Sequence, residues 1–438
     1  MKNYKNLDAF WMPFTPNRAF KENPRIVTRT EGVFCHTDDG RKILDATAGL
    51  WCVNAGHARP QIADAIAKQA HELDFTSPFN FGHDIGFEFA ERLIQHTPDP
   101  LNKVFFANSG SEAVESALKI ALAYQNSRGK SGKFKLIGRE MAYHGVNFGG
   151  ISVGGLTPNR KGFGPLLPVD HLPHTLDLEN NAFSKGLPEA GLEKADALEE
   201  LIKFHDASSI AAVIVEPISG AGGVILPPKG YLKRLREICT ANDILLIFDE
   251  VITGWGRLGS AFAAVEFDVV PDMIVSAKGI TNGIVPLGAV FVADHIHDTI
   301  MDNAAEGAIE FYHGYTYSAN PVSCAAGLAT LDIYEQEGLL TRAAGDIGEY
   351  WENALHSLKD IEQVVDIRNY GLIGAVQFKQ PAGTTAPIGG KFQVACYDND
   401  VMIRAMGNII AFSPPLTINP EEIDQLIAAI RKTANELF

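Results

Sequence analysis

The sequence predicts an α/β protein with a mostly parallel sheet and a second, smaller α+β domain. Short apolar runs such as 210–215 and 244–248 alternate with helical patterns through the middle of the chain. Strands that are apolar at every position are buried on both faces, which is typical of parallel sheets covered by helices. After about residue 330 the pattern changes to a helical stretch, shorter alternating pieces and a final helix, which indicates a separate domain.

The first elements follow an aromatic, proline-rich segment. Residues 38–40 (Asp-Asp-Gly) predict a hairpin turn. A strand over 103–108 is followed by a helix, because apolar residues recur at helical spacing from Val114 onward. Ser109 and Glu112 lie three residues apart and match a capping box at the start of that helix.

The later elements alternate as a parallel sheet requires. Strands are predicted at 135–137, 210–215, 244–248 and 271–275, and helices from Pro228, over 331–358 and from about Pro420. At roughly 100–200 residues per domain, the 438 residues allow about two to four domains. The predicted division is an N-terminal arm with part of the small domain (1–60), a large domain (61–330) and a C-terminal small domain (331–438).

The charge balance excludes several functions. The chain has 37 Lys and Arg against 53 Asp and Glu, a formal net charge of −16. A nucleic-acid binder needs a basic surface, and an anionic membrane would repel this charge. No apolar run approaches the ~18 residues of a membrane span, and residues 1–5 do not open a signal peptide. We therefore expect a cytoplasmic protein without nucleic-acid or membrane partners.

The cysteines predict a reduced protein. The chain has five of them, namely Cys35, Cys52, Cys239, Cys324 and Cys396. Their number is odd, their spacing is wide and no two form a C-x-x-C pair, so we expect buried thiols. We expect none of them to be a nucleophile or a metal ligand, and we expect no metal site.

Two polar residues follow neighbouring predicted strands. Asp249 ends the run 244–248, and Lys278 follows the run 271–275, 29 residues beyond Asp249. Open α/β sheets bind ligands at the carboxyl ends of their strands. A lysine there can form a Schiff base with an aldehyde cofactor, and a carboxylate beside it can keep a pyridine nitrogen protonated. Each residue alone would be ordinary, a solvated charge or a turn; the pair is far more specific.

A second set of residues is suited to the rest of such a cofactor. Ser109, Gly110 and Ser111 lie between a strand and a helix, where backbone N–H groups and the helix dipole can bind a phosphate. Tyr143, followed by His144, stands near a strand end, where an aromatic ring can lie flat on a cofactor ring. A core tyrosine is the ordinary alternative for Tyr143.

With these residues the chain resembles the class III, fold type I aminotransferases that use pyridoxal 5'-phosphate, over nearly its whole length. It is most similar to the ω-amino acid–pyruvate (β-alanine–pyruvate) branch of that family. The stretches that carry the resemblance are 10–15 (FWMPFT), 50–57 (LWCVNAGH), 143–155, 247–259, 277–283 and 315–321. The resemblance implies a large domain with a mostly parallel seven-stranded sheet.

The resemblance also implies roles for single residues. Lys278 would bond the cofactor aldehyde as a Schiff base and then move the proton, and Asp249 would pair with the pyridinium nitrogen. The cofactor site would be formed by Ser109, Gly110, Ser111, Tyr143, His144, Glu216, Asp249, Val251, Lys278 and Thr316. In it Val251 would pack under the ring opposite Tyr143, and Glu216 would lie near the ring hydroxyl or balance an arginine.

On the substrate side the resemblance implies two docked substrates and a shared site. Thr316 would reach the phosphate of a neighbouring subunit, so the active unit would be a homodimer, with a tetramer left open. Trp51 and Phe79 would be pocket walls, and Arg404 would pair with a substrate carboxylate. The reaction would move an amino group from an ω-amino acid or amine, such as β-alanine, to pyruvate as the keto-acid acceptor. The natural donor and the stereopreference stay open.

The sequence leaves three alternatives to an aminotransferase. A decarboxylase, racemase or aminomutase could use the same cofactor residues. Residues 254–259 spell G-x-G-x-x-G, which could indicate an NAD-dependent dehydrogenase, but five residues separate them from the strand and no helix pattern opens on Gly259. A non-catalytic protein on the same fold is the third alternative, and the presence of both Lys278 and Asp249 argues against it.

Overall fold

The computed structural model describes residues 6–380, 383 and 385–438. The interpretation of residues 1–5 falls outside them. The strands are β1 (Val27–Glu31), β2 (Phe34–Thr37), β3 (Lys42–Asp45), β4 (Lys103–Ala107), β5 (Lys135–Arg139), β6 (Val169–Leu172), β7 (Ile210–Val215), β8 (Leu245–Asp249), β9 (Met273–Ala277), β10 (Gly288–Val292), β11 (Val364–Tyr370), β12 (Ile373–Phe378), β13 (Val401–Met402), β14 (Arg404–Met406) and β15 (Ile409–Phe412).

The α-helical segments are α1 (Asn17–Glu22), α2 (Ala48–Trp51), α3 (Pro60–Glu72), α4 (Asp84–Ile94), α5 (Gly110–Ser127), α6 (Phe148–Val153), α7 (Thr157–Arg160), α8 (Leu178–Asn181), α9 (Ala197–His205), α10 (Tyr231–Ala241), α11 (Ala263–Glu266), α12 (Asp294–Asp302), α13 (Pro321–Gln336), α14 (Leu339–Arg342), α15 (Asp346–His356), α16 (Gly389–Asp398) and α17 (Pro420–Leu437). Short 3-10 turns cover Leu192–Asp196, Ala207–Ser209, Lys278–Thr281 and Ser357–Asp360.

The large sheet has seven strands in the order β4-β10-β9-β8-β7-β5-β6. Five of them, from β9 to β6, are parallel, and β10 runs antiparallel to both of its neighbours. The central strands β7, β8 and β9 are buried at every position, as their continuous apolar sequences require. The predicted α/β fold with a mostly parallel sheet is thus confirmed.

Helix α5 begins where the sequence predicts, with a modified cap. The Ser109 hydroxyl accepts a hydrogen bond from the Glu112 N–H at 3.1 Å, as in a capping box. The Glu112 carboxylate, however, accepts from the backbone and side-chain amides of Asn108, both at 2.8 Å, and not from Ser109. The carboxylate therefore fastens the preceding strand end to the helix.

Two smaller sheets complete the fold. One has the order β1-β2-β3-β13, so that N-terminal strands pair with a strand from residues 401–402, and β2 and β3 form the predicted hairpin. The other has the order β11-β12-β15-β14. The predicted helical stretch over 331–358 is divided into α13, α14 and α15. Gly338, with a left-handed φ of 62°, separates α13 from α14, and an extended Gly345 precedes α15.

The sequence predicts no membrane span, and the helices of the structure can be compared with that prediction. Among the residues that the structure describes, no helix combines the length and the apolar character that a membrane crossing requires.

Candidate active site

The predicted polar residues meet at one edge of the seven-stranded sheet. Asp249 is the last residue of β8, Lys278 follows β9 directly, and Glu216 follows β7. The loop with Tyr143 and His144 follows β5. These four strands are parallel, so their carboxyl ends lie at the same edge, where α/β sheets bind ligands.

A cavity of about 150 Å³ lies between these strand ends and the start of α5. Its lining comprises Ser109, Gly110, Ser111, Tyr143, His144, Gly145, Glu216, Asp249, Val251, Ile252 and Lys278. Nine of these residues were predicted from the sequence. Gly145 and Ile252 were missed, although each stands next to a predicted residue, and that proximity was the available signal.

Lys278 is the charged group with the fewest partners in this cavity. Among the described residues, its ammonium group makes no hydrogen bond and no ion pair within 4 Å. Burial lowers its pKa, although the charges of Asp249 and Glu216 act in the opposite direction. A half-buried lysine with a lowered pKa and no partner is suited to act as a nucleophile and as a base.

Asp249 is oriented by His144. The His144 Nδ1 and an Asp249 carboxylate oxygen lie 2.8 Å apart, and both side chains are buried. The other oxygen of Asp249 accepts a hydrogen bond from the Val251 N–H at 3.1 Å. The second ring nitrogen of His144 is buried and has no partner among the described residues. The pair therefore keeps hydrogen-bonding capacity that the folded chain does not use.

Glu216 organises the loops beside the cavity. One carboxylate oxygen accepts from the Tyr143 N–H at 2.9 Å and from the Ser219 hydroxyl at 3.2 Å, and the other accepts from the Gly220 N–H at 2.9 Å. Burial raises the pKa of this carboxyl group. Glu216 thus fixes the backbone of the predicted aromatic residue, Tyr143.

The start of α5 offers backbone donors to the cavity. Gly110 and Ser111 are the first helical residues, and the first N–H groups of a helix have no partner inside it. A Cβ at Gly110 would lie 3.1 Å from both methyl groups of Val251, so any side chain there would crowd the cavity. The Ser111 hydroxyl accepts from the Val146 N–H at 3.2 Å.

Four predicted residues do not line this cavity. Trp51 is buried beside it, and the charge of Arg404 on β14 acts on both Tyr143 and Lys278. Thr316 and Phe79 are exposed and lie on one surface, since Phe79 lies 3.3 Å from a Cβ built at Gly314.

Two further groups of residues resemble known kinds of ligand site, one for a dinucleotide and one for a metal ion. Residues 254–259 form consecutive turns, and no helix opens on Gly259, which argues against a dinucleotide site. Cys35, Asp45 and His57 bring one ligand atom each within 4.8 Å of one another, and none of the three lines the cavity. The other four cysteines are unpaired as well, and four of the five are buried.

Comparisons with known proteins show a single family. The model of the family described as aminotransferase class-III matches residues 17–434. An omega-aminotransferase of Caulobacter vibrioides is 55% identical over 99% of this chain and 98% of its own. An omega-amino acid–pyruvate aminotransferase of Pseudomonas putida is 47% identical over 99% of this chain and 96% of its own. The structure of an omega transaminase from Pseudomonas jessenii with PMP superposes with a TM-score of 0.91 at 33% identity, over 98% of this chain and 96% of that one.

Proposed function

The chain belongs to the class-III aminotransferases, which depend on pyridoxal phosphate, and we propose that it moves an amino group from an ω-amino acid or a related primary amine to pyruvate. The observation that carries the proposal is the unpartnered, half-buried Lys278 in one cavity with the Asp249–His144 pair. The name of the Pseudomonas putida relative at 47% identity supports pyruvate as the acceptor.

The cavity fits the cofactor in its polar groups. A phosphate is suited to the free N–H groups at the start of α5, with Ser109, Gly110 and Ser111 as its ligands. A ring nitrogen is suited to the Asp249 carboxylate, which His144 keeps in place, and an aldehyde is suited to Lys278. Tyr143 and Val251 supply the aromatic and the apolar contacts for the ring.

When bound, pyridoxal phosphate supplies a carbon that takes up the amino group and a ring that accepts electrons. We infer the following work for the chain itself. The Lys278 Nζ takes the proton from the amine-bearing carbon of the donor, and it returns a proton to the corresponding carbon of the acceptor in the second half-reaction. The Asp249 carboxylate lines the cavity, and a carboxylate beside a ring nitrogen favours the protonated form of that nitrogen.

The two substrates differ in charge, because pyruvate carries a net negative charge. We assign Arg404 to the binding of that charge. Its position on β14, within electrostatic reach of Tyr143 and Lys278, places a cation near the cavity. A guanidinium binds a carboxylate such as that of pyruvate through paired hydrogen bonds. Trp51 and Phe79 are the proposed apolar walls for the donor.

We propose a homodimer with shared sites. Thr316 and Phe79 lie outside the cavity of their own chain, on an exposed surface where Phe75 and Tyr317 also meet at 5.9 Å. In a dimer, Thr316 of one copy would reach the phosphate site of the other. The large domain at 61–330 would form this interface, while residues 1–60 would supply an N-terminal arm and part of the small domain at 331–438, as the pairing of β3 with β13 supports. The free cysteines support a cytoplasmic location.

The test of the reaction is spectroscopic. Purified protein is loaded with pyridoxal phosphate, and its visible absorbance is followed after β-alanine and then after pyruvate. We expect the visible band to bleach with the amine and to return with pyruvate. A band that ignores every amine offered, from β-alanine to arylalkyl amines and polyamines, would contradict the proposal.

The test of the shared site uses two inactive partners. Lys278→Ala removes the reacting lysine, and Thr316→Ala weakens the phosphate site of the neighbouring copy. We expect a mixed dimer to contain one intact site, so that activity at low cofactor concentration returns on mixing and subunit exchange. A monomer by light scattering, or no recovery on mixing, would contradict a shared site.

A further inference from the structure

The segment that carries Trp51 has a backbone shape that needs support from outside. We call residues 46–57 the Trp51 loop. Within it Ala48, Gly49 and Trp51 all have left-handed conformations, with φ of 47°, 68° and 65°. A bulky side chain rarely adopts this conformation, because its Cβ crowds the backbone. The loop is therefore not in a shape that its own sequence favours.

One buried carboxylate, Asp45, binds both ends of the loop. Its Oδ1 accepts from the Thr47 N–H at 2.9 Å and from the Thr47 hydroxyl at 2.7 Å. Its Oδ2 accepts from the Gly49 N–H at 2.5 Å and from His57 Nε2 at 2.9 Å. All four acceptor positions of a carboxylate are thus occupied, and Asp45 is fully buried.

The far end of the loop is joined to the segment of the reacting lysine. The Asn282 side chain, four residues after Lys278, accepts from the Ala55 N–H at 2.8 Å and donates to the Gly56 carbonyl at 2.9 Å. A displacement of the loop therefore affects the lysine segment directly.

The Trp51 indole lies at the edge of the cavity. A Cβ at Gly220 would lie 3.5 Å from the indole and 2.5 Å from Ile252, which lines the cavity. Because Gly220 also donates to Glu216, the indole packs against a segment that belongs to the site.

We propose that Asp45 is a positioning residue, whose carboxylate keeps Trp51 in its left-handed conformation and thereby sets the affinity of the site for the amine donor. The part that concerns the donor rests on the proposed function. The part that concerns the loop does not, since it follows from hydrogen bonds within the chain.

A metal ion is the other use that Cys35, Asp45 and His57 could have. The hydrogen bonds favour the positioning role, because both Asp45 oxygens already accept from N–H and O–H donors of the loop. Stoichiometric zinc in the purified protein that disappears in Asp45→Asn would overturn the proposal.

The experiment combines tryptophan signals with kinetics. The cofactor-loaded protein is labelled with 5-fluorotryptophan, and the fluorine signal of Trp51 is identified with Trp51→Phe. Asp45→Asn keeps the shape of the side chain but cannot accept all four bonds. Asp272→Asn is the matched control, because Asp272 also accepts a backbone N–H, that of Leu246 at 2.7 Å, at the opposite edge of the large sheet.

We expect Asp45→Asn to shift or split the Trp51 signal while those of Trp255 and Trp351 stay in place. We also expect it to raise the KM for β-alanine about tenfold with kcat changed less than about threefold. Asp272→Asn should lower the melting temperature without either effect. His57→Phe removes one hydrogen-bond donor to Asp45, so it should also shift the Trp51 signal and raise the KM for β-alanine. If Asp45→Asn does not fold, His57→Phe tests the proposal in its place.

An unchanged Trp51 signal, or the same response in Asp272→Asn, would overturn the proposal. The fluorine signal needs no turnover. A Trp51 signal that moves in a protein without transaminase activity would therefore refute the proposed function and leave the loop role standing.

Discussion

The charged residues at the two ends of the parallel strands differ in their ion-pair partners. We call the side of the sheet where these strands begin the amino edge and the side where they end the carboxyl edge. At the amino edge, Asp243 lies 2.9 Å from Arg128 and 2.7 Å from Lys130, and Asp272 lies 2.7 Å from Arg236. Each carboxylate there has a cation within hydrogen-bonding distance.

At the carboxyl edge, Glu216 and Asp249 are buried and Lys278 is half-buried in one small region, and Lys278 has no ion-pair partner among the described residues. Burying charges without pairing them lowers stability, so such an arrangement is retained where a ligand completes it. The comparison teaches that the paired charges of this protein support the sheet, while the unpaired ones are available for chemistry.

The largest effect on turnover is expected at Lys278, one of two lysines that lie at opposite edges of the sheet. Lys278→Ala should reduce turnover by about 10³-fold or more, because no other amine in the cavity can move the proton. Steady-state rates and a thermal melt measure this, and the melting temperature should stay close to that of the wild type.

Lys133 is the matched control at the amino edge. Its side chain is buried, and its ammonium group donates to the carbonyls of Ile210 and Asn242, among others. Lys133→Ala should cost about 2 kcal/mol of stability, since it leaves carbonyls unpaired, with turnover per folded enzyme unchanged. If both variants lose activity equally, the distinction between the edges fails.

The carboxylates should differ in the same way, by a smaller factor. Asp249→Asn should lower kcat about 10²-fold, because a neutral amide no longer favours a protonated ring nitrogen. In Asp272→Asn the loss should appear in the melting temperature and not in kcat. Equal kcat values for Asp249→Asn and the wild type would show that Asp249 has no role beyond structure.

The pH dependence of stability should also separate the edges. Burial raises the pKa of Glu250, next to Asp249, to about 7 from 4.5. The folded protein then binds a proton that the unfolded chain releases. Stability from this group is therefore fully present below pH 4.5 and is lost as the pH rises through about 7, by up to about 3 kcal/mol. In Glu250→Gln this slope should vanish, as melts from pH 5 to 8 would show.

Asp243 at the amino edge should behave in the opposite sense. Burial opposes ionisation there, but hydrogen bonds from Arg128 and Lys130 and the charges of Arg128 and Lys133 lower its pKa below 3.8 overall. Its contribution is present above pH 3.8 and is lost only as the pH falls through the lowered pKa. A wild-type melting profile with no difference from Glu250→Gln between pH 5 and 8 would remove this contrast.

The smallest effect concerns a residue that neither edge supplies. Arg404→Ala should lower kcat/KM for pyruvate about tenfold, because the carboxylate loses its cation, while an uncharged amine donor should be little affected. Arg236→Ala, at the amino edge, should change neither value. Equal losses for pyruvate and for an uncharged amine would contradict the assignment of Arg404 to the carboxylate.

Much of this arrangement could be predicted from local patterns. The strand before Asp249 and the strand before Lys278 are recognisable because a strand buried on both faces must be apolar throughout. The start of α5 is recognisable for a similar reason, since a helix end needs a capping side chain such as Ser109. Nine of the cavity residues follow from these two signals together with the family resemblance.

Other features had no local signal. Glu112 bonds Asn108 instead of completing a capping box with Ser109, because the preceding strand end offers two donors. The four hydrogen bonds to Asp45 were not predicted either. They depend on a backbone shape at Ala48 to Trp51 that local preferences disfavour.

By itself, then, the sequence determined the α/β class, the edge of the sheet at which the predicted polar residues meet, and the identity of most of those residues. These properties depend on the periodicity of burial and on chemistry carried by short segments. Only the tertiary structure decided which charges are paired, where Trp51 and Arg404 lie relative to the cavity, and that Thr316 and Phe79 lie outside it. Those properties depend on distances between segments far apart in the chain, which no local pattern encodes.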